Sequence, residues 1–262
     1  MKSIQEWLDL HPAPPRQARP QGMEISYSQI RAFMDCPWLY KIIYADRKRP
    51  PMNPRSSLGV SIHRALEAFH RAGGGELEKL LGFYDERWSH AGYASAQEQM
   101  EWHRKGQRIL ERYHAQERDR RSEILAVEKD FLFPLEAHTV RGSIDRIDRR
   151  TDGEIEVIDY KTHLDIEGDE EAARNLQLGM YGLGARESLG YEASWLTLYY
   201  VAAGKKTTVR YDPSREAEIV ELIARVADII VGSKGFKPEA AWCPSCDFAA
   251  ACPHSASKGL VP

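Results

Sequence analysis

Along the first half of this chain apolar residues recur at helical spacing, and from Ile124 the texture changes to short, β-branched runs. Ser26-Tyr-Ser-Gln29 offers a capping box ahead of Ile30, Phe33 and Met34, which predicts a helix running toward Cys36. A helix over 61–71 has its apolar side at Ile62, Leu66 and Phe69, and Gly73-Gly-Gly75 breaks it. Two more helical patterns cover 77–89 and 97–118. Strands are predicted over 126–133, 140–147 and 155–161, split by turn residues such as Asp152-Gly153. A helix over 171–186, strands over 195–201 and 206–211, and a long helix opened by Asp212-Pro213 and running to Val231 complete the pattern. Mixed strands flanked by helices predict an α/β core with a helical N-terminal portion.

Pro12, Pro14, Pro15 and Pro20 mark residues 1–22 as an extended arm after a short amphipathic turn. No long linker interrupts 23–262, which reads as one domain. At 262 residues, 42% hydrophobic and 29% charged, the composition is that of an ordinary globular chain. No apolar run reaches the length of a membrane span and the start lacks a signal-peptide core, so a cytoplasmic protein is expected. A net charge of -3 gives no global basic signature, so any nucleic-acid contact must come from local patches. Arg47-Lys48-Arg49, Arg118 with Arg120-Arg121, and Lys205-Lys206 are such groups, and Trp38, Tyr40 and Tyr44 could stack on unpaired bases.

The candidate chemistry centres on Glu156-Val-Ile-Asp159-Tyr-Lys161. Alternation along a strand puts Val157, Asp159 and Lys161 on one face. Asp159 can bind a divalent cation while Lys161 stabilises a phosphate or orients an attacking water, although the same triplet is also what a surface ion pair looks like. A hard cation wants several oxygens, and Asp145 in Gly142-Ser-Ile-Asp145-Arg is the natural second ligand, with Asp148 its competitor. His63, read as sitting near a helix start, could complete the shell. Gln177 and Tyr181 share a helix face.

Cys36 stands alone near the start, while Cys243, Cys246 and Cys252 crowd the end. In a reducing compartment four cysteines read as metal ligands rather than disulfides. They could hold Zn²⁺ or a [4Fe–4S] cluster, or remain buried thiols.

These residues together resemble the RecB-like nucleases of the PD-(D/E)XK superfamily, a group that includes the AddB nuclease domain and the small CRISPR-associated nucleases. Ser26-Tyr-Ser-Gln-Ile with Phe33-x-x-Cys36-Pro37 is similar to the opening motif, and Gly59-Val-Ser-Ile-His63 to the histidine motif. Gly142-Ser-Ile-Asp145-Arg, Ile158-Asp159-Tyr-Lys161-Thr and Gln177-x-x-x-Tyr181 follow in family order, and the terminal cysteine run resembles the iron–sulfur signature. The resemblance implies a restriction-endonuclease-like core, with a mixed central sheet flanked by helices. It implies a cysteine-ligated [4Fe–4S] cluster joining segments 26–40 and 240–254, with zinc the alternative. It also implies Mg²⁺ or Mn²⁺ held by His63, Asp145 and Asp159, with Lys161 catalytic and Gln177 and Tyr181 positioning DNA. Glu128 sits where relatives often carry an acid, which is a second-shell role or a plain strand-face charge.

The expected activity is a metal-dependent DNA exonuclease acting on single-stranded ends, in repair and recombination or CRISPR-type processing. The alternative is a non-catalytic DNA-end-binding or scaffold subunit of a helicase or integrase complex, with a zinc-stapled regulatory protein third. No phosphate-binding loop motif occurs: Ala203-Gly204-Lys205-Lys206-Thr207 lacks the upstream glycine. Unwinding a long duplex would therefore need a helicase partner.

Overall fold

A computed structural model describes residues 4–12 and 22–256. Much of the predicted Pro-rich arm lies outside the described residues, and its described part holds helix α1 (Ile4–Leu10). The chain groups into two compact units: Met1–Pro51, Leu132–Gly142 and Ser214–Pro262 form one, Met52–Phe131 and Ser143–Pro213 the other. No helix among the described residues is long and apolar enough to cross a membrane.

In the first unit, strand β1 (Glu24–Ser26) pairs in parallel with residues 139–141 of β3 (His138–Arg149). Helix α2 (Tyr27–Asp35) follows at once, opened by the predicted capping box of Ser26 and Gln29. It ends at Cys36, and Pro37 opens the short helix α3 (Pro37–Tyr40), because the fixed φ of proline suits a first helical position. Phe33, Tyr40 and Phe236 pack ring against ring, so Tyr40 is a core residue and not a surface for stacking bases. The long C-terminal helix α9 (Glu216–Gly232) is preceded by a 3₁₀ turn at Pro213–Arg215 and packs on α1, where Arg225 Nη1 donates to the Leu8 carbonyl at 2.8 Å.

The second unit carries helices α4 (Pro54–Arg71), α5 (Leu77–Glu86) and α6 (Ala96–Glu117). Helix α4 starts seven residues before the predicted position. Asn53 caps it, accepting from the Arg55 and Ser56 amides at 3.0 Å, and Pro54 takes the first helical position. His63 therefore lies in the third turn and not near the helix start. The predicted helix over 171–186 is two helices, α7 (Asp169–Ala173) and α8 (Leu176–Leu189), because Asn175 stops one and caps the next by accepting from Leu178 N–H at 3.1 Å.

The mixed sheet of this unit combines residues 123–131 of β2 (Glu123–Leu135), residues 143–149 of β3, β4 (Ile155–Lys161), β5 (Ala193–Tyr200) and β6 (Lys205–Arg210). Within it β4 runs antiparallel to β3 and parallel to β5, and β6 returns antiparallel. One face buries Ile158, Tyr160 and Tyr199 against Ile62, Leu66, Leu80 and Leu110 of α4, α5 and α6. Each such aliphatic side chain contributes roughly 1.5–3 kcal/mol on leaving water. Helix α8 covers the other side of β4 and β5.

Arg146 is 1% exposed and explains Asp148. Its guanidinium holds Asp148 Oδ1 at 2.7 Å and Glu117 Oε2 at 2.7 Å, with the Tyr113 and Tyr160 hydroxyls at 3.2 Å. Three residues along a strand reverse the face, so Asp148 points away from Asp145 and serves this buried network. A buried cation of this kind persists because every donor finds an acceptor.

Candidate active site and cysteine pocket

The site assembles where α4 passes the end of β4. Gly59 makes the approach close: a Cβ there would stand 3.0 Å from Thr162 Oγ1. One turn later His63 presents Nδ1 3.6 Å from Asp145 Oδ2 on β3 and 3.9 Å from Glu128 Oε1 on β2. Ligand atoms of His63, Glu128 and Asp145 lie within 4.8 Å of one another. Glu128 reaches this position from a left-handed backbone, φ +43°, in the middle of a strand. That conformation costs a non-glycine residue on the order of 1–2 kcal/mol, so the surrounding structure holds it in place.

Asp159 and Lys161 stand side by side on β4, Lys161 Nζ 2.7 Å from Asp159 Oδ2. The contact is a close ion pair on a nearly buried carboxylate. From α8, Gln177 accepts from Lys161 Nζ at 2.7 Å and donates to Asp159 Oδ1 at 2.9 Å, while its Nε2 reaches the Tyr181 hydroxyl at 2.8 Å. Gln177 and Tyr181 thus set the geometry of the Asp159–Lys161 pair. The open groove above His63, Glu128 and Asp145 is also lined by Gly59, Glu67 and Thr162.

Electrostatics marks the cluster as short of cations. Burial raises the proton affinity of Asp145, and the Asp159 and Glu128 carboxylates add to that, against His63 and the Tyr160 N–H. Burial alone would lower His63, but Glu128, Asp145 and Asp159 outweigh it and favour the imidazolium. Burial, with Asp159 and Asp145 nearby, raises the Tyr181 phenol and keeps it a neutral partner for Gln177. Buried carboxylates crowded beside a histidine suit a hard divalent cation.

Residues 24–253 match the sequence pattern of the PD-(D/E)XK nuclease superfamily. The chain belongs to that superfamily. Membership makes it a phosphodiester-hydrolysing nuclease, and PD-(D/E)XK nucleases use divalent metals such as Mg²⁺ or Mn²⁺, for which the His63–Glu128–Asp145 group is a candidate site. No curated protein matches the chain. Among solved structures, the crystal structure of SSO0001 is similar at 18% identity over 79% of this chain and 87% of that one, with a TM-score of 0.37.

For this PD-(D/E)XK chain the structure brings His63, Glu128 and Asp145 together in one group and Asp159, Lys161, Gln177 and Tyr181 in an adjoining one. Glu128 stands 3.9 Å from His63, against 3.6 Å for Asp145, a placement that spacing alone could not separate from a strand-face charge. Gly59 opens the histidine motif, but its close approach to Thr162 and the Tyr160 amide bond to Asp145 join residues far apart in sequence and went unrecognised. Of the basic groups, Lys206 is engaged by Glu117 at 2.7 Å and lies over the Tyr199 ring.

In the first unit Cys36, Cys243, Cys246 and Cys252 line one small pocket, all four as free thiols. Tight backbone bonds shape the C-terminal trio: Cys246 N–H donates to the Cys243 carbonyl and Cys252 N–H to the Phe248 carbonyl. Glu239 N–H points at Cys36 Sγ, 3.2 Å away, and Ala256 N–H at Cys243 Sγ, 3.5 Å away. Trp38 closes the side, edge-on to His254. Burial raises the Cys246 thiol, with Cys36 and Cys252 close enough to add to it.

Proposed function

We propose that this protein is a RecB-like, divalent-metal-dependent DNA exonuclease acting on single-stranded ends. The observation that carries the reading is the pair of adjoining groups, His63–Glu128–Asp145 and Asp159–Lys161–Gln177, in one unit. His63, Glu128 and Asp145 would hold Mg²⁺ or Mn²⁺, with Asp159 beside them. When bound, that cation supplies Lewis-acid polarisation of the scissile phosphate and lowers the pKa of water. Lys161 offsets the charge that builds on the phosphate oxygens as water attacks phosphorus and the sugar oxygen leaves. Gln177, fixed by Tyr181, keeps the Lys161 ammonium and the Asp159 carboxylate in register for that step.

The cysteine pocket fits a [4Fe–4S] cluster. Four free thiols face it, and two backbone N–H groups point at sulfurs, as a cluster's electron-rich ligands favour. The same four thiolates would also suit tetrahedral zinc, which is the alternative. A cluster would tie 26–40 to 240–254 and supply folding energy to a C-terminal segment with few aliphatic anchors. The family match over 24–253 draws on both units, which supports reading 23–262 as one nuclease domain.

The test follows end-labelled single-stranded DNA with anaerobically purified protein, in Mg²⁺, Mn²⁺ or EDTA, wild type beside Lys161→Ala. Metal-dependent cleavage lost in the variant is the expected result, and the label gives polarity. Binding of DNA without cleavage in either metal would replace the nuclease with a DNA-end-binding scaffold.

A further inference from the structure

The second unit holds a cavity of about 600 Å³ that the mechanism above does not use. It lies between the C-terminal ends of α4 and α6 and strand β2, and its walls include Phe69, Arg71, His114, Arg118, Arg120 and Leu125. The loop Gly73–Gly75 floors it in a conformation open to glycine, with φ of +81°, +75° and +133°, and His114 Nε2 holds the Gly75 carbonyl at 2.9 Å.

The charge facing this cavity is positive once internal pairing is counted. Its acids are Glu76 and Glu117, and Glu117 is already engaged by Arg146 and Lys206, each at 2.7 Å. Arg120 leans on Glu117 at 3.5 Å. Arg71 and Arg118 complete its cations as exposed guanidiniums, Arg71 paired with Glu67 on the groove side at 3.1 Å and Arg118 with the solvent-exposed Asp119 at 3.8 Å. Basic groups beside a partly apolar wall suit a phosphate joined to a sugar and base.

The cavity adjoins the catalytic groove. Glu67 lines the groove, Arg71 lines the cavity, and the two pair at 3.1 Å one turn apart on α4. Arg71 Nη2 also reaches the Glu128 carbonyl at 3.3 Å, so one arginine touches both the cavity and the strained strand position of the metal group. Eight residues of helix separate His63 from Arg71, a rise of roughly 12 Å. Stacked nucleotides advance roughly 3.4 Å each, so three or four would span it.

We propose that this cavity holds the phosphorylated end of the DNA strand being cut, with Arg71 exchanging Glu67 for a strand phosphate and Arg118 meeting the next. The inference rests on the nuclease reading. Its size, within the roughly 300–1,000 Å³ of small-ligand sites, admits a single-stranded end of one or two nucleotides and excludes duplex.

The test measures binding of tetrathymidylate bearing terminal phosphates, and of thymidine monophosphate, in EDTA across a salt series. Wild type is compared with Arg71→Gln, Arg118→Ala and Arg210→Gln. The expected result is at least tenfold weaker tetranucleotide binding in each arginine variant, with a salt slope smaller by about 0.7 per lost phosphate contact. Arg210→Gln, an exposed arginine that lines neither the cavity nor the groove, should bind as wild type does, and the monophosphate at least tenfold more weakly than the tetranucleotide. Unchanged affinity and slope in both arginine variants would overturn the cavity's role, even in a protein that cleaves DNA. Equal binding of the monophosphate would make it a free-nucleotide site and overturn the strand assignment. Arginine-dependent binding in a protein that never cleaves would instead sink the nuclease reading and leave the anion site standing.

Discussion

The Tyr160 backbone N–H donates to Asp145 Oδ2 at 2.7 Å. The β3–β4 ladder pairs Arg146 with Ile158, and one step further a carboxylate accepts the strand amide. That bond orients Asp145 toward His63, while the Tyr160 side chain on the opposite face is anchored by Arg146 and Tyr113. The position of one acidic group is thereby tied to the buried network behind the sheet.

Glu128→Gln should separate stability from activity. Removing one of three crowded carboxylates relieves repulsion, so in EDTA the variant should be more stable than wild type by roughly 1 kcal/mol. Stabilisation by added Mn²⁺, read as a rise in Tm, should be large for wild type and small for the variant. An equal Mn²⁺ shift in both proteins would remove Glu128 from the metal group.

Gly59→Ala should displace α4 by the contact with Thr162 Oγ1 and move His63 from Asp145. The contact calls for a shift of a few tenths of an ångström, short of the 1 Å that can cost about 10²-fold, so a several-fold loss of rate is expected. Thr162→Ala removes the obstructing oxygen, so the double variant should recover most of the activity. Cleavage rates of the four proteins decide it, and a double variant no better than Gly59→Ala would refute the packing explanation.

His70 carries a pH dependence of stability. It is buried against the Tyr113 hydroxyl at 2.6 Å, and burial together with Arg146 lowers its pKa from 6.5 to about 3. The unfolded chain then binds the proton more readily, so stability from this group is full above pH 6.5 and falls as pH drops toward 3. Between pH 7 and 5 the loss should be about 2 kcal/mol. Urea unfolding of wild type and His70→Gln at both pH values measures it, and the variant should lack that part of the slope.

Cys246→Ser tests the cluster. Wild type purified without oxygen should contain iron and acid-labile sulfide with visible charge-transfer absorption, and the variant should lose most of all three. Stoichiometric zinc without sulfide in wild type would decide for the alternative.

Much of this protein was legible in residue order because the signals were local. The capping box of Ser26 and Gln29, the period-2 run of β4 and the break at Gly73–Gly75 depend on neighbours within a few positions, and each appears where expected. The start of α4 and the break at Asn175 were missed although their caps are present, because apolar periodicity outweighed single polar residues. Strand alternation put Asp159 and Lys161 on one face, where the two form a close pair, and their chemical role came only from the resemblance. Tertiary structure alone decided that Asp148 belongs to Arg146 while Asp145 faces His63, and that Glu128 comes beside both from a left-handed backbone. Those choices depend on register, helix approach and burial, which join residues far apart in sequence and so leave no local trace.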